Sequence, residues 1–310
     1  MFFRSDNPPR MARAPAKLNL YLEITGQRGD GYHELETLMV PVHLADGLWF
    51  QASTPTDENV PGSIELEVHT RFAVRPPPQD SNVPAGSNNF IVRALELLRQ
   101  RSGCRIGARV GLIKHIPVAA GLGGGSSDAA AALRLANIGW KLHWDTDRLA
   151  KLAAEIGSDV PFFVYGGAAI CRGRGERVER LPSMPTLHFV IAKPASGLSA
   201  ADVYRSYDQL SQSERFTGES LSVLSKITGR SWGDFVYWMR NGLESAAARL
   251  SPWIDQARKV FSELDFVAHQ LSGSGSAYFG VCRHAQHARR LASILRTRQL
   301  GLVYATRSCQ

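Results

Sequence analysis

A glycine-rich string near the middle of the chain is the strongest sign of chemistry in this sequence. It reads Gly121-Leu-Gly-Gly-Gly-Ser-Ser127 and continues into the alanine-rich stretch SSDAAAA. Four glycines in five positions allow backbone N–H groups to converge on one point without side-chain clashes. A helix that begins at Ser126 or Ser127 would direct its free N–H groups and its dipole at the same point. The string therefore predicts a phosphate-binding loop, against the alternative of a flexible turn ahead of a helix.

Two common nucleotide-binding motifs do not fit this string. It has no Gly-Lys-Ser/Thr ending, which excludes a Walker A loop, and Ser126 stands where a Rossmann loop has its third glycine. A second small-residue stretch, Ser272-Gly-Ser-Gly-Ser276, is by itself best interpreted as an ordinary hairpin turn. Taken with the glycine string, it predicts a phosphate pocket with walls from both halves of the chain.

Three ionisable side chains are candidates for catalysis, although each also has a plainer explanation. Lys17 lies in APAKLNL on the polar face of an apparent strand, where most lysines are solvated edge charges. Asp159 lies in GSDVPFF just before a proline, which is typical of a helix N-cap. His33, in GDGYH, is by default an exposed loop histidine. The nine histidines form no HExxH pattern, so a zinc peptidase is excluded.

Hydrophobic periodicity predicts the elements that position these residues. Strict alternation from Lys17 to Ile24 indicates a half-buried strand with Lys17 and Asn19 on its polar face. An N-terminal tail over 1–13 is predicted to be loose, with Met11 as an alternative start. The remaining predicted strands are 35–44, 47–52, 63–68, 105–116, 187–193, a strand–turn–strand around 271–280, and 301–306. The predicted helices are 88–101, one from Ser126, 146–156, a short one from 158, 199–210, 232–249, 253–263 and 284–297.

Composition limits the class of protein. The chain has 310 residues, 44% of them hydrophobic, and 36 basic against 28 acidic side chains give a net charge of +8. That excess suits an anionic partner such as a nucleotide, a phosphorylated metabolite or RNA. Four scattered cysteines exclude a zinc knuckle and a disulfide framework. Without an apolar span or a secretion signal, we expect a cytoplasmic protein in a reduced compartment. Strand pairs and helices in mixed order favour an α+β fold.

Three motifs in chain order resemble the GHMP family of small-molecule kinases. They are PAKLNL with GDGYHELET, then PVAAGLGGGSSDAA, then LSGSGSA. The resemblance runs from Ala14 to the last strand and includes SNNFIVRA, GSDVPFF, SAADVYR and NGLESAA. It implies an N-terminal domain over 1–183 that is like domain 2 of ribosomal protein S5. It also implies a ferredoxin-like C-terminal domain over 184–310, with a deep cleft between the two. Pro182 and Pro185 independently favour a boundary near 183.

The GYHELET segment narrows what the resemblance implies about activity. The expected reaction is ATP-dependent phosphorylation of the 2-hydroxyl of a CDP-linked methylerythritol, in the non-mevalonate route to isopentenyl diphosphate. The expected partners are small molecules, with no nucleic acid and no membrane, and the expected state is a monomer or weak homodimer. Rival interpretations are another GHMP kinase, acting on homoserine, mevalonate or a sugar, and an S5-like RNA-binding protein. Dispersed basic residues without interleaved aromatics argue against RNA.

The resemblance also implies roles for individual residues. Asp159 would be the general base, and Lys17 would hold Asp159 ionised and neutralise charge on the γ-phosphoryl group. Asn19 would position the substrate, and Tyr32, His33 and Tyr204 would form the cytosine pocket, with the tyrosines stacking and His33 hydrogen bonding. Mg²⁺ is implied together with ATP, and neither Ser126 nor Ser127 is assigned as its ligand. ATP phosphates would lie on Pro117, Val118, Ala119, Ala120, Gly121, Leu122, Gly123, Gly124, Gly125, Ser126 and Ser127.

One position departs from the family pattern. The family usually has Ser-Thr-Ala where this chain has Ser199-Ala200-Ala201. The missing hydroxyl at Ala200 puts one polar contact to the cytidine or its diphosphate in doubt. A hydrogen bond of this kind contributes about 0.5–1.5 kcal/mol. We therefore expect weakened substrate binding at most.

Overall fold

Two long N-terminal strands form the centre of the larger of two sheets. The computed structural model describes residues 8–53, 60–70, 83–182, 184–215, 236 and 238–309. The elements, in chain order, are β1 (Arg10–Gln27), β2 (His33–Ser53), β3 (Ile64–Thr70), α1 (Phe90–Ser102), β4 (Gly107–Lys114), α2 (Gly124–Gly139), α3 (Thr146–Ala154), α4 (Val160–Tyr165), β5 (Ala169–Gly173), β6 (Arg177–Arg180), β7 (His188–Lys193), α5 (Ala200–Asp208), β8 (Arg240–Asn241), α6 (Glu244–Leu250), α7 (Pro252–Ser262), β9 (Ala268–Leu271), β10 (Tyr278–Cys282), α8 (Ala285–Thr297) and β11 (Leu302–Arg307).

The seven-stranded sheet has the order β3-β4-β2-β1-β8, and β5 and β6 extend from β2. The β1–β2 and β2–β4 pairs are antiparallel, whereas β3 lies parallel to β4 and β8 lies parallel to β1. Alanine residues allow α2 to pack closely on this sheet and on α1, because Ala129 to Ala132 are all fully buried. Helix α1 is capped by Asn89, whose side chain accepts a hydrogen bond from the backbone N–H of Ile91.

The smaller sheet is antiparallel, with the order β11-β7-β10-β9. A hydrophobic cluster that includes Leu18 and Leu20 of β1 and Phe189 and Phe279 of the smaller sheet joins the two sheets. The strand predicted from Lys17 to Ile24 is therefore confirmed, but the prediction that only one of its faces is buried was wrong. The smaller sheet covers the apolar face, and the polar residues Lys17 and Asn19 are also buried, at 4% and 2% exposure.

Several predicted elements are corrected by the structure. Residues 10–13 belong to β1 and are not a loose tail, and 35–44 and 47–52 are one continuous strand, β2. The predicted helix over 232–249 is confirmed at its C-terminal end, where 244–249 lie in α6, but it is interrupted before that, where Arg240–Asn241 pairs with β1. Most of 232–239 lies outside the described residues. Strands β5 and β6 were missed because ICRGRGERVER lacks clear alternation.

The arrangement is mixed α+β in two sheet-based parts, as predicted. The boundary between 183 and 184 stays a prediction, and residue 183 lies outside the described part of the chain. Strand β7 opens the smaller sheet at His188, yet β8 returns to the larger sheet beside β1. Within the described ranges, no helix has both the length and the hydropathy of a membrane span.

Candidate active site

Strand β1 holds the candidate lysine through both its backbone and its side chain. The Lys17 backbone N–H donates to the carbonyl of Leu122, 2.9 Å away, which ties β1 to the glycine loop (Pro117–Ser127). The Lys17 Nζ atom donates to Asn19 Oδ1 at 2.5 Å, and Asn19 Nδ2 donates to Thr37 Oγ1 at 2.9 Å. Thr37 donates in turn to the carbonyl of Tyr21 at 2.6 Å. This chain of hydrogen bonds fixes the ammonium group at one place in a largely dry site.

Asp159 lies opposite this ammonium group. Its Oδ2 atom is 3.7 Å from Lys17 Nζ, and its side chain is 32% exposed, against 5% for Lys17. Asp159 occupies the N-cap position of α4, but its side chain makes no capping hydrogen bond. The plain explanation of this residue as a helix cap is therefore wrong. Its carboxylate faces the cleft and is accessible to a ligand.

The glycine loop requires glycine at two positions. Gly121 and Gly123 have φ values of +71° and +68°, which L side chains rarely adopt. A Cβ atom at Gly123 would lie 2.9 Å from the Phe163 ring and 3.0 Å from Cγ of Lys17. Helix α2 begins at Gly124, two residues before the predicted start, with Gly123 as its N-cap. Its first-turn N–H groups have no partner within the helix and suit an anion.

The second loop (Ser272–Ser276) is both a turn between β9 and β10 and a neighbour of the glycine loop. Ser272 Oγ donates to the carbonyl of Gly121 at 3.2 Å, and the Ala277 N–H donates to the carbonyl of Ala120 at 3.0 Å. A Cβ atom at Gly273 would lie 3.1 Å from Lys17 Nζ. The two halves of the chain therefore meet at the lysine, and the hairpin and pocket-wall interpretations are compatible.

A group of aromatic and charged residues lies further along the cleft. The His33 ring stacks on Tyr204 with centroids 5.0 Å apart, and His33 Nε2 is 2.7 Å from Oδ1 of Asp208. Burial, followed by the negative charge of Asp159, raises the pKa of the Tyr204 hydroxyl. Tyr32 is 54% exposed, with the Arg174 guanidinium 4.8 Å from its ring centroid. Tyr204 thus pairs with His33 in the structure, while Tyr32 lies at the rim with Arg174.

A cleft of about 630 Å³ joins these groups. It brings together nine of the predicted site residues: Lys17, Asn19, Tyr32, His33, Gly121, Gly123, Ser126, Asp159 and Tyr204. The other members of the predicted nucleotide loop do not line it: Pro117, Val118, Ala119, Ala120, Leu122, Gly124, Gly125 and Ser127. Leu122 is instead a core residue at 1% exposure. Ala200 and Ala201 do line the cleft, so the position with the missing hydroxyl faces it.

Several residues that line the cleft were not predicted from the sequence, among them Thr37, Phe90, Arg174 and Asp208. Thr37 lies within GYHELET and Phe90 within SNNFIVRA. Both motifs therefore contain a residue of the cleft, although their patterns predict only a strand and a helix. Arg174 and Asp208 lie in stretches rich in charge, where no local pattern separates a ligand-facing residue from a solvated one.

The residues present fit a magnesium ion held mainly by phosphate oxygens. No three His, Cys, Asp or Glu side chains converge into a metal cage in the described part of the chain. Mg²⁺ commonly binds through one or two protein oxygens together with substrate phosphates and water. The hydroxyl of Ser126 faces the cleft, and the adjacent Ser127 Oγ is buried without a hydrogen-bond partner. These two hydroxyls are the oxygen donors that the glycine loop offers.

A second, fully buried charge cluster lies beneath the glycine loop. Lys114 Nζ donates to Oδ2 of Asp128 at 2.9 Å and also to Asp46, and Asp46 Oδ1 accepts from the backbone N–H groups of His115 and Ile116. Burial first, and then the neighbouring Asp46 carboxylate, raise the pKa of Asp128 to about 8, although Lys114 opposes the shift. A Cβ atom at Gly124 would lie 2.9 Å from Lys114 Nζ. The cluster therefore packs against the first residue of α2 and helps to fix the position of this end of the helix.

Comparisons with known proteins agree with this geometry. The model for the N-terminal domain of GHMP kinases matches residues 89–167, and the model for their C-terminal domain matches 220–300. A 4-diphosphocytidyl-2-C-methyl-D-erythritol kinase from Bacillus pumilus is 38% identical, over 92% of this chain and 92% of its own. The kinase of the same name from Pelotomaculum thermopropionicum is also 38% identical, over 91% of this chain and 92% of its own.

Solved structures extend the same comparison. The crystal structure of a 4-(cytidine 5′-diphospho)-2C-methyl-D-erythritol kinase superposes with a TM-score of 0.76 at 33% identity, over 97% of this chain and all of the other. Mevalonate kinase from L. major has a TM-score of 0.72 at 12% identity, over 98% of this chain and 97% of its own, which shows a shared fold alone. The chain therefore belongs to the 4-diphosphocytidyl-2-C-methyl-D-erythritol kinase family of GHMP kinases.

Proposed function

We propose that this chain transfers the γ-phosphoryl group of ATP to the 2-hydroxyl of 4-diphosphocytidyl-2-C-methyl-D-erythritol. The reaction is a step of the non-mevalonate route to isopentenyl diphosphate. The observation that carries the proposal is the Lys17–Asp159 pair, 3.7 Å apart in a cleft beside a glycine loop. Relatives that bear this activity in their names align with more than nine tenths of the chain, which supports the choice of substrate.

Asp159 is proposed as the general base. The 2-hydroxyl oxygen forms the new bond to the γ-phosphorus while the bond from that phosphorus to the bridging oxygen breaks, and ADP leaves. The hydroxyl proton passes to the carboxylate of Asp159, which has no capping bond to give up. A positioned carboxylate base of this kind contributes about 10²–10⁴-fold to the rate.

Lys17 is proposed to stabilise the charge that develops on the transferring group. Its ammonium group is 5% exposed and is fixed by Asn19 and by the backbone bond to Leu122. A cation held in place in a site with little water stabilises developing charge strongly, because no solvent has to reorganise. Asn19, which joins Lys17 to Thr37, is proposed to position the substrate hydroxyl.

The glycine loop and the start of α2 are proposed to bind the phosphates of ATP. The free N–H groups of the first helical turn, together with the positive end of the helix dipole, favour negative charge at this point. Bound Mg²⁺ would neutralise charge on the phosphates. The Ser126 hydroxyl, which faces the cleft, is the side-chain group of the glycine loop that would contact the magnesium-bound phosphate.

The aromatic end of the cleft is proposed to bind the cytidine. Tyr32 and Tyr204 offer ring faces for stacking, and Asp208 orients the His33 ring for a hydrogen bond to the base. Arg174, at the rim beside Tyr32, is a candidate for the diphosphate, because guanidinium groups bind phosphate oxygens in a bidentate manner. These features favour a cytidyl substrate over homoserine, mevalonate or a sugar, because none of those acceptors has a base that could stack on an aromatic ring.

A substrate panel tests the proposal. ADP release is measured with ATP, Mg²⁺ and, in turn, the CDP-linked alcohol, homoserine, mevalonate and galactose. We expect kcat/KM for the CDP-linked alcohol to exceed the others by at least about 10²-fold, with phosphorus NMR locating the new phosphate on the 2-oxygen. A preference for any other acceptor would reject the substrate. Salt-sensitive RNA binding without ATP turnover would reject the kinase altogether.

A further inference from the structure

A surface with four arginines that form no ion pair with a described residue lies away from the catalytic cleft, and one of them, Arg13, donates a hydrogen bond to the carbonyl of His43 at 3.4 Å. Two cavities, of about 260 and 440 Å³, both have His43 in their walls, and neither shares a lining residue with the cleft. Arg13 and Arg134 line the smaller cavity, and Arg289 and Arg307 line the larger one. We refer to these four arginines with His43 as the arginine patch.

The arginine patch carries positive charge without local compensation. None of its four arginines forms an ion pair with an acidic residue in the described part of the chain, and no Asp or Glu lines either cavity. Asp46, which follows Ala45 in the wall, is fully buried and bound to Lys114. Elsewhere on the described surface, arginines such as Arg101 lie beside a carboxylate, in that case Glu155. The two adjoining cavities therefore have a local excess of positive charge.

The electrostatic effect is visible on the titrating groups nearby. The pKa of His43 is lowered by burial, then by the positive charges of Arg307 and Arg13. The pKa of His188, in the wall of the larger cavity, is lowered by burial, by Arg307 and by His284. Arg134 is partly buried, and its burial lowers its pKa. A desolvated guanidinium without a partner is costly, and an anion would relieve that cost.

We propose that the arginine patch is a second binding site for a small phosphorylated anion, distinct from the nucleotide and substrate cleft. Arginine suits this ligand because its planar fork binds phosphate oxygens in a bidentate manner. The two cavities that meet at His43 provide room for two phosphate groups, so a diphosphate is the ligand class that fits. Their modest volumes favour a small molecule over a nucleic acid strand.

Three elements connect this site to the catalytic one. Arg13 is on β1 with Lys17, and Arg134 is on α2, which begins at the glycine loop. Phe163 of α4 lines the smaller cavity, and the same ring lies against Gly123. A ligand in the arginine patch would therefore contact the elements that carry the lysine, the phosphate-binding loop and Asp159.

Calorimetric titration with inorganic pyrophosphate tests the proposal on the full chain. The cleft is first saturated with both a non-hydrolysable ATP analogue and the CDP-linked alcohol in metal-free buffer, so that the probe reports on other sites. We expect one further pyrophosphate to bind per chain. Arg134→Met should weaken that binding by at least about tenfold while the affinity for the ATP analogue stays the same. Methionine fills similar space without a buried charge, so the fold should be retained.

Two further variants keep the test decisive. Arg289→Gln changes an exposed residue of the patch and should also weaken pyrophosphate binding, by about three- to tenfold. Arg101→Gln removes an equal charge from an ion pair elsewhere and should leave the binding within about twofold. The proposal is overturned if no pyrophosphate binds once the cleft is filled, or if Arg134→Met and Arg289→Gln bind it normally. Tighter binding of a single-stranded RNA at the same arginines would also overturn it.

Discussion

Two lysine–carboxylate clusters lie beside neighbouring glycines of the same loop, Lys17 beside Gly123 and Lys114 beside Gly124, and they differ in access. In the cleft cluster, Lys17 and Asp159 are 3.7 Å apart and the carboxylate is 32% exposed. In the buried cluster, Lys114 contacts Asp128 and Asp46 directly, and none of the three side chains is more than 4% exposed. The same residue types are thus open to a ligand in one cluster and sealed in the other.

This difference in exposure indicates that the cleft cluster can take part in chemistry, whereas the buried cluster stabilises the fold. A loose, half-open pair leaves room for a hydroxyl and a phosphoryl group between its members, which transfer chemistry requires. A closed cluster satisfies its own charges and is costly to break, because a remaining buried charge has no water to stabilise it. We therefore expect matched substitutions to affect turnover in the cleft cluster and stability in the buried one.

Asp159→Asn should have the largest effect on turnover. Removing the base is expected to lower kcat by about 10²–10⁴-fold, while ATP binds normally and the free energy of unfolding changes by less than about 0.5 kcal/mol. Steady-state kinetics and urea unfolding of the same preparation measure both. Turnover near the wild-type rate would remove Asp159 from the mechanism.

Lys17→Met should have the second-largest effect on turnover, because it is expected to lower kcat by at least about 10²-fold. The substitution approximately keeps the length of the side chain and removes the ammonium group that faces the transferring group, together with its hydrogen bond to Asn19. ATP binding, measured by calorimetry, should persist because the loop N–H groups are untouched. A Lys17→Met enzyme that loses ATP binding but keeps its kcat would show that the lysine serves binding rather than the chemical step.

Lys114→Met, the same substitution in the buried cluster, should lower the free energy of unfolding by about 3–5 kcal/mol. It leaves Asp46 and Asp128 buried without their cation. Urea unfolding measures the loss, and the kcat of the molecules that remain folded should fall far less than in Lys17→Met. Equal stability of the two methionine variants would contradict the contrast between the clusters.

Asp128→Asn should change how stability depends on pH. The pKa of Asp128 is raised to about 8 in the folded chain from its ordinary value of 3.8, chiefly by burial. Below about pH 4 both states hold the proton. As the pH rises from 4 to 8, the unfolded state releases its proton first, and the wild type loses stability. Relative to Asp128→Asn, this loss should be on the order of 6 kcal/mol, because each of about four pH units contributes about 1.4 kcal/mol. A difference that is constant with pH would show that Asp128 titrates normally.

Tyr204→Ala should have the smallest effect, and it acts on binding. Tyr204 is in contact with His33 in the cleft rather than with the Lys17–Asp159 pair. Losing one stacking surface costs about 1–3 kcal/mol per base, so KM for the cytidyl substrate should rise about five- to 150-fold with kcat little changed. The matched change Tyr165→Ala, away from the cleft, should leave KM unaltered. A kcat defect in Tyr204→Ala would instead place this ring near the chemical step.

Local sequence patterns predicted the residues of the cleft cluster but not those of the buried cluster. Lys17 and Asp159 lie in motifs that resemble those of a known kinase family, and the glycine string predicts a phosphate-binding loop. Lys114 lies 68 residues from Asp46, and nothing in the sequence near either residue indicates that they meet. Sequence periodicity also could not show that β1 is buried on both faces, because its second cover comes from strands more than 160 residues away.

Boundaries set by local chemistry were predicted better than those set by strand pairing. Helix α1 runs over Phe90–Ser102, close to the predicted 88–101, because its caps, Asn89 and Gly103, are local features. The helix expected over 232–249 gives way to a strand at Arg240–Asn241, where pairing with β1 outweighs helical propensity. Contacts of this kind depend on tertiary neighbours that no short window of sequence contains.

The most direct test of the central claim is a crystal structure with a non-hydrolysable ATP analogue and the CDP-linked alcohol both bound. The distance to measure is that from the Asp159 carboxylate to the 2-hydroxyl oxygen of the acceptor. Our account predicts a hydrogen bond of about 2.6–3.2 Å, with Lys17 Nζ against the terminal phosphoryl group and the phosphates on the glycine loop. A 2-hydroxyl that lies beyond the reach of Asp159, or phosphates bound away from the glycine loop, would contradict it.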